Sequence, residues 1–316
     1  QGKMPETDQR PPLTWYFLID TSGSMGQPDK LMLLAQSFRL MLGQLHATDE
    51  IAIVTYAGNA GQVLEPTSAA KKTSILGALA RLQAGGSTHG QAGLQLAYRT
   101  ASQMATAQEV TRIILATDGD FNLGLSDSEQ LKDYIAQQRD SSIYLSVLGF
   151  GRGNLNDATQ QTLAQNGNGQ AAYIDTLSEA QKVLNDQLTG ALFPIANDVK
   201  IQVEFNPAKI SEYRLIGYET RALKREDFNN DKVDAGEIGA GHQVTSPLRY
   251  GNRQDTMTIG EIGFVALRYK QPGSTQSQRV ETPITHDNIG DDDALRFAAA
   301  IAGFGQLLRD LRYLDH

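Results

Sequence analysis

At 316 residues and 40% hydrophobic content, the chain is long enough to bury a sizeable core in one large domain or two smaller ones. Its 28 basic residues are scattered and outnumbered by 36 acidic ones, for a net charge of −8, which argues against nucleic acid as a partner. Cysteine is absent, so disulfides and thiolate chemistry are excluded, and no apolar run approaches the roughly 20 residues that cross a bilayer.

Residues 1–12 read as an N-terminal tail or the remnant of a preceding region. They begin at Gln1 with no signal-sequence pattern, which suits a processed piece of a longer protein. From Leu13 to about Leu192, short apolar runs alternate with helical periodicity, as in a parallel sheet covered on both faces. The buried strands are expected at Thr14 to Ile19, Glu50 to Tyr56, Arg112 to Thr117, Ile143 to Phe150 and Ala171 to Ile174, with an edge strand at Gln62 to Leu64. The fold class is therefore α/β, a Rossmann-like, doubly wound, mainly parallel six-stranded sheet, with the domain spanning 13–193. A helix beginning near Pro28 carries an apolar stripe at Leu31, Leu34, Ala35, Phe38, Leu42 and Leu45. A last helix, starting at Ser178 with Gln181 as its capping-box partner, continues its apolar face through Val183, Leu184, Leu188 and Leu192 and closes the domain.

The first strand runs into Leu18-Ile19-Asp20-Thr21-Ser22-Gly23-Ser24-Met25. Asp20, Ser22 and Ser24 fall at i, i+2 and i+4 in a turn at the carboxyl edge of the sheet, where open α/β folds bind ligands. Three oxygen side chains there suit a hard cation. The same residues could instead only cap a helix, since Asp, Ser and Thr satisfy orphan amides.

The DxSxS pattern followed by Met25 resembles the first element of the metal ion-dependent adhesion site of von Willebrand factor A domains. Thr88, in Gly85-Gly86-Ser87-Thr88-His89-Gly90, and Asp118, in Thr117-Asp118-Gly119-Asp120, match the second and third elements in the right order. The resemblance implies that Ser22, Ser24 and Thr88 contact a metal and that Asp20 and Asp118 act through water. The metal would be Mg²⁺, with Mn²⁺ or Ca²⁺ compatible with the same donors. The implied activity is protein binding, in which a partner's Asp or Glu carboxylate completes the coordination shell. Alternatives are a cell-envelope scaffold or assembly subunit, or the partner of an ATPase, with the metal structural. Asp120 reads as a solvated turn residue, and His89 as exposed on a first helical turn.

After Pro194 the style changes to a β-rich module over 194–316. Val199, Ile201, Val203 and Phe205 alternate with Lys200, Gln202 and Glu204, the period of a half-buried antiparallel strand. Strands are also expected at Tyr213 to Glu219 and Glu261 to Tyr269, and a final helix from near Asp292 through Leu311. The stretches Val199 to Pro207, Tyr213 to Glu219 and Asp234 to His242, with Thr55 to Gly58 and Leu148 to Asn156 in the first domain, resemble the bacterial YfbK-like family. That family implies a cell-envelope location, periplasmic or at the surface, and is compatible with a lipoprotein precursor. The match departs after Thr245, where Pro247 removes a ladder donor from an expected strand.

Other motifs exclude more than they suggest. Asp227 to Asp234 has the alternating oxygens of a calcium loop, but Lys232 stands where Gly is needed and Ile238 at the bidentate Glu position. Gly149-Phe150-Gly151-Arg152-Gly153 lacks the spacing of a phosphate loop and reads as a strand-to-helix turn. No HxxxH, HExxH or GxSxG pattern occurs, and the chain is not expected to be an enzyme.

Overall fold

The computed structural model describes residues 12–104, 110–119, 133–135, 137–138, 143–153, 156–184, 194–217, 222–233, 235–240, 245, 248–252, 260–272, 274–285 and 293–309. They fall into two compact units that divide before Pro194.

In the first unit the strands are β1 (Leu13–Asp20), β2 (Glu50–Tyr56), β3 (Ala60–Ser68), β4 (Val110–Thr117), β5 (Ile143–Phe150) and β6 (Ala171–Ile174). They form one sheet in the order β3-β2-β1-β4-β5-β6. All neighbouring pairs are parallel except the edge pair β2 and β3. Every residue of β1 is buried, as a central strand between two helical layers must be. Its alternation divides the core. Leu13, Trp15, Phe17 and Ile19 pack with Leu34, Phe38, Ile75 and Val183 on one side, whereas Tyr16 and Leu18 join Leu94, Tyr98 and Leu163 on the other.

The helices are α1 (Leu33–Met41), α2 (Lys72–Ala80), α3 (Gly90–Met104), α4 (Asp157–Asn166) and α5 (Leu177–Gln181). A single π-helical turn, Pro28–Met32, leads into α1. The buried stripe of this segment is Lys30, Leu33, Leu34, Ser37, Phe38, Met41 and Leu42, so the expected Leu31, Ala35 and Leu45 lie only at its half-buried flank. The wider π turn shifts the phase of the stripe relative to a uniform helix. The expected cap at Ser178 is corrected to Thr176, whose hydroxyl accepts from the Glu179 amide at 3.2 Å. Val183 and Leu184 are buried as expected, while Leu188 and Leu192 lie outside the described residues.

The second unit holds a four-stranded sheet, β12-β11-β7-β9, built from β7 (Pro194–Phe205), β9 (Ile238–Gly239), β11 (Glu261–Lys270) and β12 (Ser277–Thr285). A separate antiparallel pair joins β8 (Ile210–Leu215) to β10 (Leu248–Asn252), so a strand begins directly after Pro247. The helix α6 (Asp293–Leu308) follows; Arg309, expected to continue it, is a turn residue, and Asp292, Asp310 and Leu311 lie outside the described residues. In β7 the expected burial is partly inverted: Lys200 is buried and Ile201 is exposed. The Lys200 ammonium donates to the Asn230 carbonyl at 2.6 Å and lies 3.5 Å from Asp198 Oδ1, which lets a lysine be enclosed. The loop oxygens read as calcium-like face cations: Arg268 pairs with Asp231 at 2.9 Å. Among the described residues no helix is long and apolar enough to cross a membrane.

The sheet rests on aromatic packing behind β1, where the Phe17 and Phe38 rings lie 4.0 Å apart between centroids. Phe38→Ala should destabilise the fold by about 3–5 kcal/mol, read as a lowered denaturant midpoint with unchanged slope. A change below about 1 kcal/mol would contradict that packing role.

Candidate functional site

Parallel strands β1 and β4 are neighbours, with Ile19 opposite Ala116. Asp20 and Asp118 therefore emerge at the same carboxyl edge. The chain passes from β1 outward to β2 and β3 on one side and later to β4 on the other, which makes the gap between β1 and β4 the topological switch point of the sheet.

Both carboxylates are buried, Asp20 to 0% and Asp118 to 3% exposure. The Asp20 Oδ1 accepts from the Ser22 amide at 2.8 Å, folding the first loop back on its strand. The Ser22 and Ser24 hydroxyls lie 3.0 Å apart, so the two converge. Ser22 is buried and Ser24 exposed, which leaves the outer hydroxyl open to solvent. Behind them Thr117 Oγ1 donates to Asp20 Oδ2 at 3.5 Å and accepts from the Gly119 amide at 3.3 Å.

The second loop is laced to the first by backbone. Gly85 N donates to Thr21 O at 2.8 Å and Gly23 N to Gly86 O at 3.1 Å. Gly86 has φ +83°, and a Cβ there would lie 3.1 Å from the Gly58 amide nitrogen, so this close approach calls for glycine. Thr88 is half-buried two residues on. His89 is exposed as expected, and its Nδ1 is 3.0 Å from the Ala57 carbonyl, which ties the second loop to the exit of β2.

The structure thus gathers Asp20, Ser22, Ser24 and Asp118 at one point and sets the loop of Thr88 against them. Asp120 lies outside the described residues. Among the described residues no group of three or more His, Cys, Asp or Glu side chains could hold a metal. The oxygen-bearing side chains at this edge are those of Asp20, Asp118, Ser22 and Ser24, with Thr88 in the adjoining loop.

Two participants escape the motif. Tyr56 is fully buried at the end of β2, and its hydroxyl interacts with Asp20 and Thr117; burial first, then the Asp20 charge, pushes its pKa well up and keeps it a neutral phenol. Lys30 is 8% exposed and its Nζ lies 2.9 Å from Asp118 Oδ2. A lysine on the buried stripe of an amphipathic helix was the available signal, since lysines are rarely enclosed without a partner.

Burial pushes the Asp20 carboxyl above its ordinary range, the two bonds from Ser22 oppose this, and the neighbouring Asp118 charge adds to it. The Lys30 ammonium offsets one of the two charges, and the pair would still draw a further cation.

Residues 15–120 match the von Willebrand factor type A domain family, and residues 190–316 match the family described as "Uncharacterized protein YfbK, C-terminal". The fold is that of a von Willebrand factor A domain protein. More narrowly, the chain belongs to the YfbK-like family. It is 42% identical over its whole length to the uncharacterized protein YfbK of Escherichia coli K12, of which it spans 58%. It is 26% identical to the uncharacterized protein sll0103 of Synechocystis over 90% of the chain and 67% of that protein. A solved von Willebrand factor type A structure from Catenulispora acidiphila covers 93% of the chain, matching 72% of its own, at 18% identity and a TM-score of 0.56, which supports the fold. A von Willebrand factor A domain points to a protein-interaction module, and nothing in these matches points to catalysis.

The raised pKa of Asp20 gives a signed expectation. The folded state holds the proton more tightly than the unfolded chain, so this group's contribution to stability is fully present below its ordinary pKa and is lost as pH rises through the raised value. In chelator at neutral pH, Asp20→Asn should melt at or above wild type, and the gap should close on acidification to about pH 4. Thermal melts across pH check this. A variant melting well below wild type at neutral pH would contradict it.

Proposed function

We propose that the chain is a divalent-metal-dependent protein-binding module whose metal centre captures a partner's carboxylate. The observation that carries this reading is the pair of buried carboxylates at the switch point, with two converging serine hydroxyls beside them. Asp20, Ser22, Ser24, Thr88 and Asp118 would hold the ion.

The donor set fits a hard cation. Every candidate ligand is oxygen, which suits Mg²⁺, Mn²⁺ or Ca²⁺ over the softer metals that favour imidazole or thiolate. The ammonium already beside Asp118 is a second sign that positive charge belongs at this point. When bound, the ion supplies an electrophilic position for an acidic side chain. Two carboxylates only balance its charge, so it retains attraction for a third.

The chain's own residues divide the remaining work. The Ser22 amide and Thr117 orient Asp20. Thr21 N donates to Tyr56 O at 3.0 Å, fixing the first loop to the end of β2. Ser24, open to solvent, faces the direction from which a partner arrives. The proposed working location is the cell envelope, where the β-rich unit would carry further contacts.

Thermal melting tests the metal. With Mg²⁺ near 100 times its dissociation constant, the midpoint should rise by roughly 5 to 10 °C over chelator, and Asp118→Ala should abolish most of that rise. No shift in wild type would remove the metal from the account. An array of short peptides separates recognition from structure: bound sequences should centre on Asp or Glu and be lost in EDTA. Equal binding in EDTA would make the metal structural.

A further inference from the structure

Lys30 sits in the single π turn before α1, where Pro28 opens the turn and the Lys30 amide donates to Gln27 O at 3.1 Å. Its side chain does not turn to solvent. The stem crosses Gly151, at the exit of β5, and the ammonium reaches Asp118 Oδ2 at 2.9 Å. The crossing is tight: a Cβ at Gly151 would lie 2.6 Å from Lys30 Cγ and 3.0 Å from Cε. Gly151 also has φ +90°, and its amide donates to Ile174 O at 3.2 Å. The next residue is engaged as well, since the Arg152 amide donates to Asp29 Oδ2 at 3.0 Å. Two successive residues of the turn thus meet two successive residues of the β5 exit, and the lysine stem lies against Gly151, which has no side chain to obstruct it.

An ammonium is strongly hydrated and is buried only where a charge repays its desolvation. Here that charge belongs to one of the five residues assigned to the metal. A divalent ion attracted to Asp118 meets a positive charge at hydrogen-bond distance from the same carboxylate, and like charges at such range repel strongly in a buried setting. We propose that Lys30 is a resident counter-cation that competes with the divalent ion for Asp118. It holds that carboxylate in place when metal is scarce and weakens metal binding, so that occupancy follows metal concentration. This inference rests on the metal-binding reading above and adds to it a residue that sets the affinity.

The test uses the full chain with Mg²⁺ as the only probe, titrated by calorimetry into wild type, Lys30→Met, Lys30→Gln and Lys30→Arg. Met keeps an unbranched stem without charge, Gln keeps polarity, and Arg keeps the charge. Competition predicts that Lys30→Met and Lys30→Gln bind Mg²⁺ tighter than wild type by about tenfold or more, which corresponds to about 1.4 kcal/mol, and that Lys30→Arg stays near wild type. It also predicts a larger Mg²⁺-induced rise in melting temperature for the two neutral variants. If Lys30→Met does not fold in chelator, Lys30→Gln carries the comparison. Metal binding by a neutral variant alone, with none in wild type, supports the competition. Unchanged or weaker Mg²⁺ binding in the neutral variants, with wild type binding, overturns the competition and leaves the metal centre standing. Absence of binding in all four chains removes the metal centre, and the competition with it.

Discussion

Two carboxylates buried at neighbouring strand ends repel each other and are each poorly solvated, and the residues around them answer that tension. Asp20 is the more enclosed and is pushed toward protonation. Asp118 escapes through a charge partner, Lys30. The Ser22 amide, Thr117 and the neutral Tyr56 hydroxyl supply hydrogen bonds without adding negative charge. A site arranged in this way favours positive charge, and the Ser24 hydroxyl of the first loop is open to solvent beside it.

The sheet makes the juxtaposition inevitable once its order is set. With β1 paired to both β2 and β4 in parallel, three strand ends share one edge, and the loops that leave them must bind each other or solvent. The first loop binds the end of β2 through Thr21 and Tyr56, and the loop between α2 and α3 closes on the first loop through Gly85 to Thr21 and Gly23 to Gly86. Gly86 permits the approach because its backbone conformation and the nearness of Gly58 leave no room for a side chain. At the far side of the same edge, Gly93 in α3 lies so close that a Cβ would meet Tyr56 Cβ at 2.6 Å. The tyrosine that backs Asp20 is therefore fixed by packing as well as by its own strand.

The amino-acid sequence exposes most of this to a reader because the sheet is written in buried apolar runs. The spans Glu50–Tyr56 and Ile143–Phe150 are legible to the residue, since an interior strand has little polar face to blur its ends, and the short edge strand Ala171–Ile174 is legible from the polar turn residues on either side of it. The turn positions of Asp20 and Asp118 follow from where those runs stop. What is not legible depends on distant partners. Lys30 is in phase with Leu34 and Phe38, but its partner Asp118 and the β5 exit that its stem crosses are distant in sequence. Thr176 and Ser178 are equally plausible caps in sequence, and geometry chooses the first. In β7 the alternation is correct but its consequence is not: Asp198 and the Asn230 carbonyl, remote or easily overlooked, make the lysine face the enclosed one at Lys200.

Positive charge belongs between the first loop and the turn that carries Asp118. Anomalous diffraction from crystals grown with Mn²⁺ addresses it most directly. The account predicts one strong anomalous peak bounded by the side chains of Asp20, Ser22, Ser24 and Asp118, within a single ligand or water of each. A peak confined to other parts of the chain, or none at this edge at saturating Mn²⁺, would contradict it.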